Sequence, residues 1–210
     1  MKAICLVDTR NHQRYIDECV QSCLAQSVPD GVDFTLHVID SGSTDGTLER
    51  LRRYGDRITV HARGNVGQSG AFDLCLQLDA EILMFCDGDD RLKPNRLRRV
   101  AEVFSRHAGV VLVGNSITEV DAAGRPIRDV FIGEDRLFDG RTDSAEAEQL
   151  HRARPLMGTS RMAVRKAALT RVLPFARLVL FEADELIFNT LPQLGQVFII
   201  AERLTDYRLN

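Results

Sequence analysis

Short apolar runs alternate with amphipathic helical stretches along most of this chain. Residues 3–7, 34–39 and 82–86 have the length and the apolar composition of buried strands. Residues 15–26, between the first two runs, carry apolar side chains at helical spacing. This alternation predicts an α/β fold with a mostly parallel central sheet and helices on both of its faces. Because residues 82–86 contain no polar side chain, we expect that strand to lie in the centre of the sheet.

The rest of the chain continues the pattern. We predict further strands at 58–61, 110–113, 162–164 and 196–201, and helices at 47–54, 95–106, 165–172 and 183–194, with another helix ending at Leu78. Ala122-Ala123-Gly124 is typical of a hairpin turn between two strands. Residues 133–154 are polar and weakly periodic, and we expect a mobile surface loop or lid there. A chain of 210 residues is long enough for one full-sized domain and too short for two comfortable ones.

Charge and cysteine content exclude several classes of protein. A formal net charge of −3 argues against a protein that binds a nucleic-acid backbone. No apolar run approaches the roughly 18 residues of a membrane-spanning helix, and Asp8 interrupts the first apolar run, unlike in a signal peptide. Five cysteines without a CxxC pair are predicted to be buried thiols in a reducing compartment. We therefore expect a cytoplasmic protein that binds no nucleic acid.

Polar residues stand at the ends of the predicted strands. Asp8-Thr9 ends the first strand, Asp40-Ser41 the second, and Asp87-Gly88-Asp89-Asp90 the fourth. Ligands of open α/β sheets bind beyond the carboxyl ends of the strands. We therefore expect the functional site at this end of the sheet.

The segment Asp87-Gly88-Asp89-Asp90 is the sharpest of these features. Three carboxylates in four residues repel one another, and a bound cation relieves that repulsion. Asp87 and Asp89 point to the same side if the strand conformation continues. Oxygen ligands of this kind suit Mg²⁺ or Mn²⁺. The alternative is a solvated acidic loop in which Asp90 caps the next helix.

Two further acidic residues each allow a structural and a functional interpretation. Asp40 opens a loop, residues 40–47, whose serines and threonines could simply cap the helix that begins near Thr47. Alternatively, its carboxylate could accept hydrogen bonds from the N–H groups of a nucleotide base such as uracil. Asp184 precedes a predicted helix, so its charge either only stabilises the helix N-terminus or acts as a general base toward a substrate hydroxyl.

Five cations lie close together after the acidic segment. They are Arg91, Lys93, Arg96, Arg98 and Arg99. One interpretation is a solvated helix face. The other is contact with a phosphorylated acceptor or with an anionic membrane surface, as a peripheral protein would make at the inner face of a membrane.

The motifs of several other enzyme classes are absent. The sequence has no GxxxxGK[ST], GxGxxG, HExxH or GxSxG motif, which argues against P-loop ATPases, dinucleotide-binding proteins, zinc hydrolases and serine hydrolases. A phosphatase or mutase of the haloacid dehalogenase type would also place aspartates after an apolar strand. It would need Thr or Val soon after its D-x-D, where this chain has Asp90-Arg91.

Four segments, in this order, resemble the inverting family 2 glycosyltransferases of the GT-A fold. Residues 40–47 resemble that family's nucleotide loop, and Asn65-Val66-Gly67 with Ser69 and Ala71 is similar to its N-x-G-x-S-x-A segment. Residues 85–90 look like its DxD region, and the acidic start of the helix ending in Leu194-Gly195 resembles its catalytic-base region. The resemblance covers residues 3–210 and is strongest in the first 100.

This resemblance implies a GT-A fold with a Rossmann-like sheet in a single domain, residues 1–210. The half at about 1–115 would bind the nucleotide sugar, and the half at about 116–210 would supply the acceptor site and the catalytic base. The implied activity is metal-dependent transfer of a sugar, with inversion, from a nucleoside diphosphate sugar. We expect a UDP-sugar as donor and a carbohydrate or lipid-linked hydroxyl as acceptor, in the synthesis of polysaccharide, lipopolysaccharide or another glycoconjugate.

The resemblance also implies a role for individual residues. Asp184 would be the catalytic base. Apart from the resemblance, we expect Met157-Gly158-Thr159-Ser160, which follows residues 133–154, to lie on the acceptor side. Asp87 and Asp89 would hold Mn²⁺ or Mg²⁺. The donor would be bound by Thr9, Asp40, Asn65, Gly67 and Asp87.

Four positions depart from the family's pattern. Phe72 stands where arginine is frequent, Ala183 where glutamate is usual, and Asp8 where proline is usual. Asn210 takes the place of a histidine. The alternative function is therefore a catalytically inactive homologue that binds a nucleotide sugar or serves as a scaffold.

Overall fold

The computed structural model of this chain describes residues 1–64, 72–139, 141, 144–172 and 183–209. Within these residues, ten strands form one sheet in the order β3-β2-β1-β4-β9-β6-β10-β5, with β7 beside β6 and β8 beside β10. The strands are Lys2–Thr9 (β1), Asp33–Asp40 (β2), Thr59–Ala62 (β3), Ile82–Asp87 (β4), Arg91–Leu92 (β5), Val110–Val120 (β6), Pro126–Val130 (β7), Arg136–Phe138 (β8), Ala163–Arg165 (β9) and Gln196–Arg208 (β10). The described helices are Ile16–Leu24 (α1), Thr47–Arg52 (α2), Arg96–Arg106 (α3), Ser144–Arg152 (α4), Lys166–Leu169 (α5) and Ala183–Thr190 (α6), and residues 72–75 are also helical.

Most of the sheet is parallel, as the sequence predicts. Strands β1, β2, β3 and β4 pair in parallel, and β10 pairs in parallel with β6. The short strand β9 runs antiparallel between β4 and β6, so that β6 and β10 point the same way as β1. The carboxyl ends of these main strands therefore meet along one edge of the sheet.

Alternating side chains of the central strands enter two separate cores, one on each face of the sheet. In β4, Ile82, Met84 and Cys86 join one apolar cluster, whereas Leu83 and Phe85 join the other. All five are buried, which confirms that β4 is a central strand covered on both faces. Helices α1 and α3 contribute to the first cluster, and α4 and α6 to the second.

Two strands are longer than their apolar runs predict. Strand β6 continues to Val120 and β10 to Arg208. The continuations contain polar residues that are buried but hydrogen-bonded to one another: Asn115 Nδ2 donates to Thr205 Oγ1 at 3.1 Å. Such pairing lets polar residues occupy a sheet interior, and hydrophobic patterning cannot detect it. The predicted hairpin turn is confirmed, since β6 and β7 pair antiparallel around residues 122–124.

The prediction of a mobile loop at 133–154 is wrong for the described part of that stretch. Strand β8 pairs antiparallel with β10, and α4 follows it. Each of the two elements places an apolar residue, Phe138 or Leu150, in the core. Charged residues of α4, such as Glu148 and Arg152, are exposed. Within the described residues, no helix combines the length and the apolar character that a membrane crossing requires.

Candidate active site

The carboxyl ends of β1, β2 and β4 bring several acidic residues to one place. In the strand register, Asp8 of β1 lies beside Asp87 of β4, and Thr9 lies beside Asp40 of β2. We call the five carboxylates Asp8, Asp40, Asp87, Asp89 and Asp90 the acidic rim. The predicted position of the site, beyond the carboxyl ends of parallel strands, is where the structure brings these side chains together.

Asp40 is buried, and within the described residues only one of its two carboxylate oxygens accepts hydrogen bonds. Its Oδ1 accepts hydrogen bonds from the backbone N–H of Gly42 at 3.2 Å and of Ser43 at 3.0 Å. Gly42 adopts a φ of 82°, a conformation that favours glycine. Among the described residues no group donates to Oδ2, which is also buried. A buried acceptor without a donor is costly, so this oxygen suits a donor brought by a ligand.

Thr9 pairs with Asp40 in the strand register and lies close to Gly88. Its Oγ1 is 3.2 Å from His12 Nδ1. A Cβ atom at residue 88 would lie 2.5 Å from Thr9 Oγ1 and 2.7 Å from His12 Nδ1. Glycine is therefore the residue that lets the acidic segment pass this close to the end of β1.

Three of the rim carboxylates, Asp8, Asp87 and Asp90, have raised pKa values, first because they are buried. Burial raises the pKa of Asp90 to about 8 and that of Asp8 to about 6, although Ser41 donates a hydrogen bond to Asp8 Oδ1. The pKa of Asp87 is raised by removal from water and then by the neighbouring Asp90, Asp8 and Asp89. Asp8 belongs to the cluster because of the pairing of β1 with β4, which the sequence alone does not reveal.

A divalent cation fits this donor set. Asp90 Oδ2 is buried and has no hydrogen-bond partner among the described residues. The Oδ1 of Asp90 accepts from the backbone N–H of Arg208 at 2.7 Å, so Asp90 does not cap the following helix, as one interpretation of the sequence proposed. The cation of Arg208 does not neutralise the rim carboxylates, because its guanidinium donates to the main-chain oxygen of Asp89 and to Glu18. Crowded carboxylate oxygens with raised pKa values are ligands for a hard cation such as Mg²⁺ or Mn²⁺.

Two adjacent hydroxyl residues connect the rim to Asp184. The backbone N–H of Asp87 donates to Ser160 Oγ at 2.8 Å, and that hydroxyl lies 3.2 Å from Asp87 Oδ2, to which it donates. Thr159 Oγ1 donates to Asp184 Oδ2 at 3.1 Å, and the backbone N–H of Glu185 donates to Asp184 Oδ1. The sequence placed this pair on the acceptor side; the structure shows it lying between the two acidic sites.

Several residues named from the sequence fall elsewhere. Asn65, Gly67 and Asn210 lie outside the described residues. Phe72 is buried and packs edge-on against Phe85, with ring centroids 5.2 Å apart. An arginine in this position would place its charge in an apolar cluster.

The basic segment is not a uniform cationic surface. Arg96 is fully buried and donates to Asn115 Oδ1 and to two main-chain oxygens. Arg91 and Lys93 both pair with Asp206, and Arg99 pairs with Glu102 and Asp135. The interpretation as a solvated helix face is therefore wrong for Arg96.

The chain is similar to known glycosyltransferases. The family model described as "Glycosyl transferase family 2" matches residues 5–179. A glycosyltransferase of Nostoc sp. strain PCC 7120 is 28% identical over 217 residues, which cover 100% of this chain and 65% of the relative. The poly(ribitol-phosphate) β-N-acetylglucosaminyltransferase TarS of Staphylococcus aureus strain Mu50 is 29% identical over 118 residues, 54% of this chain and 20% of the relative.

Solved structures show the same fold. The crystal structure of S. aureus TarS residues 1–349 in complex with UDP superposes with a TM-score of 0.77 at 18% identity, covering 100% of this chain and 61% of that one. The same protein in complex with UDP-GlcNAc gives a TM-score of 0.75 at 19% identity, covering 100% and 59%. The chain thus spans at most 65% of the length of the relatives named here. Because the family model covers most of its length, and its sheet and helices match those structures, this chain belongs to glycosyl transferase family 2.

Proposed function

We propose that this protein transfers a sugar, with inversion, from a nucleoside diphosphate sugar to an acceptor hydroxyl. The observation that carries the proposal is the acidic rim at the ends of β1, β2 and β4, which is joined through Ser160 and Thr159 to the carboxylate of Asp184. A UDP-sugar is the favoured donor, since TarS has been solved with UDP and with UDP-GlcNAc. The acceptor would be a carbohydrate or a lipid-linked hydroxyl compound, in polysaccharide, lipopolysaccharide or other glycoconjugate synthesis.

The donor nucleotide would lie over the ends of β1 and β2. Asp40 Oδ2, buried and without a donor among the described residues, would accept the ring N–H of uracil. Thr9 lies next to it in the register and would line the same site. Asn65 and Gly67 remain proposed contacts on the basis of the family resemblance.

Asp87 and Asp89 would hold Mn²⁺ or Mg²⁺. A bound divalent cation would neutralise the diphosphate that leaves when the sugar–phosphate bond breaks. The contribution of the chain is to hold the carboxylates in place. The hydroxyl of Ser160 bonds to two groups of Asp87, the main-chain N–H and the carboxylate, and so holds this residue in place.

Asp184 would act as the general base. Thr159 and the backbone N–H of Glu185 orient its two carboxylate oxygens. As the acceptor oxygen attacks the anomeric carbon, its proton would pass to Asp184, and the bond from that carbon to the diphosphate would break on the opposite face. Such general-base assistance contributes about 10²- to 10⁴-fold to the rate of an enzyme.

The described residues give little support to membrane contact through the basic segment. Four of its five cations are ion-paired or buried, which leaves Arg98 as the exception. Co-sedimentation with liposomes that contain anionic lipid tests this point, and we expect no salt-sensitive binding.

The function is tested with a panel of nucleoside diphosphate sugars. We expect Mn²⁺-dependent release of UDP from one UDP-sugar, and a larger rise in melting temperature with UDP and Mn²⁺ than with UDP and EDTA. Binding of UDP without transfer or hydrolysis of any donor would instead support the inactive homologue. If no nucleoside diphosphate bound, with or without Mn²⁺, the proposal would be wrong.

A further inference from the structure

The cleft that contains Asp184 carries an excess of positive charge. It has a volume of about 610 Å³ and holds three arginines against two carboxylates. Two of those arginines already have a carboxylate partner: Arg152 pairs with Glu148 at 2.6 Å and Arg154 with Glu185 at 3.2 Å. Of these three arginines, Arg161 is the one without a carboxylate partner among the described residues.

Arg161 is fixed in place but poorly satisfied. Its guanidinium lies 4.1 Å from the ring centroid of Tyr207, and its Nη1 donates to the main-chain oxygen of Pro155. Its Nε is buried and has no acceptor among the described residues. Within the residues that the structure describes, no carboxylate forms an ion pair with Arg161. A buried N–H group of a cation without an acceptor is costly, and an anionic ligand would remove that cost.

Gly158 allows the guanidinium to lie against the main chain. A Cβ atom at residue 158 would be 3.3 Å from Arg161 Cζ and 3.3 Å from Nη1. With Tyr207 on one side and Gly158 close by, the planar group has little freedom to turn. An arginine held in this way loses little entropy when it forms paired hydrogen bonds to a phosphate.

Arg161 also lies between the two acidic sites. It directly follows Thr159 and Ser160, which bond to Asp184 and to Asp87 respectively. Arg161 and Asp184 line the same cleft. A phosphate bound by Arg161 would therefore lie close both to the rim and to the carboxylate that faces the acceptor.

We propose that Arg161 binds a phosphate group in this cleft. The inference rests on the proposed function, because it assigns the phosphate to one of the two substrates of that reaction. The phosphate would come either from the diphosphate of the donor or from a phosphorylated acceptor. Both would offer the same chemistry, a tetrahedral anion whose oxygens match the N–H groups of one guanidinium.

The test compares Arg161→Gln with Arg152→Gln. Both variants remove one arginine from the same cleft, but Arg152 already has Glu148 as a partner and its side chain is 76% exposed. We would titrate each protein with UDP in Mn²⁺, with glycerol 3-phosphate and with inorganic phosphate in a calorimeter. We expect Arg161→Gln to weaken at least one of these affinities by about 10- to 100-fold and Arg152→Gln to change each by less than about twofold.

The pattern of losses identifies the source of the phosphate. Loss of UDP affinity in Arg161→Gln assigns the site to the donor, whereas loss of glycerol 3-phosphate affinity with UDP affinity unchanged assigns it to a phosphorylated acceptor. If Arg161→Gln and Arg152→Gln behave alike toward all three compounds, the inference is overturned. Arg161→Lys keeps the charge but loses the planar fork, so an intermediate loss separates phosphate binding from misfolding.

The failure of this inference can be distinguished from that of the proposed function. If the wild-type protein binds inorganic phosphate but no nucleotide, and Arg161→Gln loses the phosphate, the phosphate site stands and the glycosyltransferase proposal fails. If Arg161→Gln turns over a UDP-sugar normally, and all three affinities are unchanged, the glycosyltransferase proposal stands and the phosphate site fails.

Discussion

The acidic rim and the cleft around Asp184 balance their charges in different ways. The rim gathers five carboxylates, and its hydrogen-bond donors are mostly neutral groups, such as Ser41, Ser160 and main-chain N–H groups. The cleft around Asp184 contains three arginines, of which Arg161 pairs with no carboxylate among the described residues. Among the described residues, the rim therefore gathers mainly carboxylates, whereas arginines outnumber carboxylates in the lining of the cleft.

This difference indicates how the rim and the cleft could bind oppositely charged parts of one substrate. A donor diphosphate with a divalent cation would bring positive charge to the rim and negative charge toward Arg161. The two regions meet at Thr159 and Ser160, which are consecutive in the chain and bond to Asp184 and to Asp87 respectively. The predictions below test whether the rim serves the donor and the cleft serves the chemical step.

The largest effect is expected for Asp184→Asn. Asparagine keeps the acceptor for Thr159 but cannot take a proton, so turnover should fall by about 10²- to 10⁴-fold. Affinity for UDP in Mn²⁺ should change by less than about twofold, because the donor binds at the rim. Steady-state kinetics and calorimetry measure the two quantities separately.

The matched control for that variant is Glu185→Gln. Glu185 is exposed, lines the same cleft and pairs with Arg154. Its turnover should stay within about threefold of wild type, since surface ion pairs contribute little. If Asp184→Asn lost UDP binding, Asp184 would have a structural role. The division of donor binding and chemistry between the rim and the cleft would then be wrong.

Asp87→Asn is expected to act on the donor side. Replacing one carboxylate of the rim by an amide should lower the affinity for UDP in Mn²⁺ by about 10²-fold and abolish the extra thermal stabilisation that Mn²⁺ gives over EDTA. Asp121→Asn, in the hairpin turn, serves as the control. A Mn²⁺ dependence that survives in Asp87→Asn would show that the rim is not the metal site.

The sequence predicts the rim better than the cleft. Asp40, Asp87 and Asp89 follow apolar strands, so strand order and the location of ligands in α/β sheets are enough to bring them together. Asp8 also ends a predicted strand and so belongs to this end of the sheet, but its place directly beside Asp87 depends on strand register. Arg161 gave no signal at all, since its position depends on a short turn, Thr159–Arg161, that no hydrophobic pattern marks.

The same argument explains what could be predicted of the fold. Strands with uninterrupted apolar runs, such as β4, were placed correctly because their composition alone requires burial. The strand expected before the hairpin turn is continuous with residues 110–113 in β6, and β10 continues past residue 201. Hydrophobic patterning cannot predict either continuation, because buried Asn115 and Thr205 satisfy each other only in the folded protein. Strand β8 was missed because three residues are too few to show a period.

In the absence of a metal ion, Asp8→Asn should raise the free energy of unfolding at alkaline pH. Burial raises the pKa of Asp8 to about 6, above its unfolded value of 3.8, so the folded state binds more protons than the unfolded state between these values. Stability contributed by the protonated form is therefore lost as pH rises through this window. At pH 8 the amide should add about 1 to 3 kcal/mol to the free energy of unfolding, and near pH 4 much less.

Urea unfolding at both pH values, in EDTA, measures this effect. Asp121→Asn, in the hairpin turn, is the control and should show no such gain at pH 8, because hydrogen bonds from Arg125 lower the pKa of Asp121. Equal gains in both variants would mean that burial does not raise the pKa of Asp8.

The smallest effects are expected for the two hydroxyl residues, and they separate the regions most finely. Thr159→Val removes a hydrogen bond to Asp184, worth about 0.5 to 1.5 kcal/mol, so turnover should fall by about 2- to 10-fold with UDP affinity unchanged. Ser160→Ala removes the partner of both the N–H and the carboxylate of Asp87, so UDP affinity in Mn²⁺ should fall by a similar factor instead. Thr159→Ser keeps the hydroxyl and should restore turnover. If Thr159→Val and Ser160→Ala both lowered the turnover, or both lowered the UDP affinity, the rim and the cleft would not have separate functions. Separate functions require that one variant changes the turnover and the other the affinity.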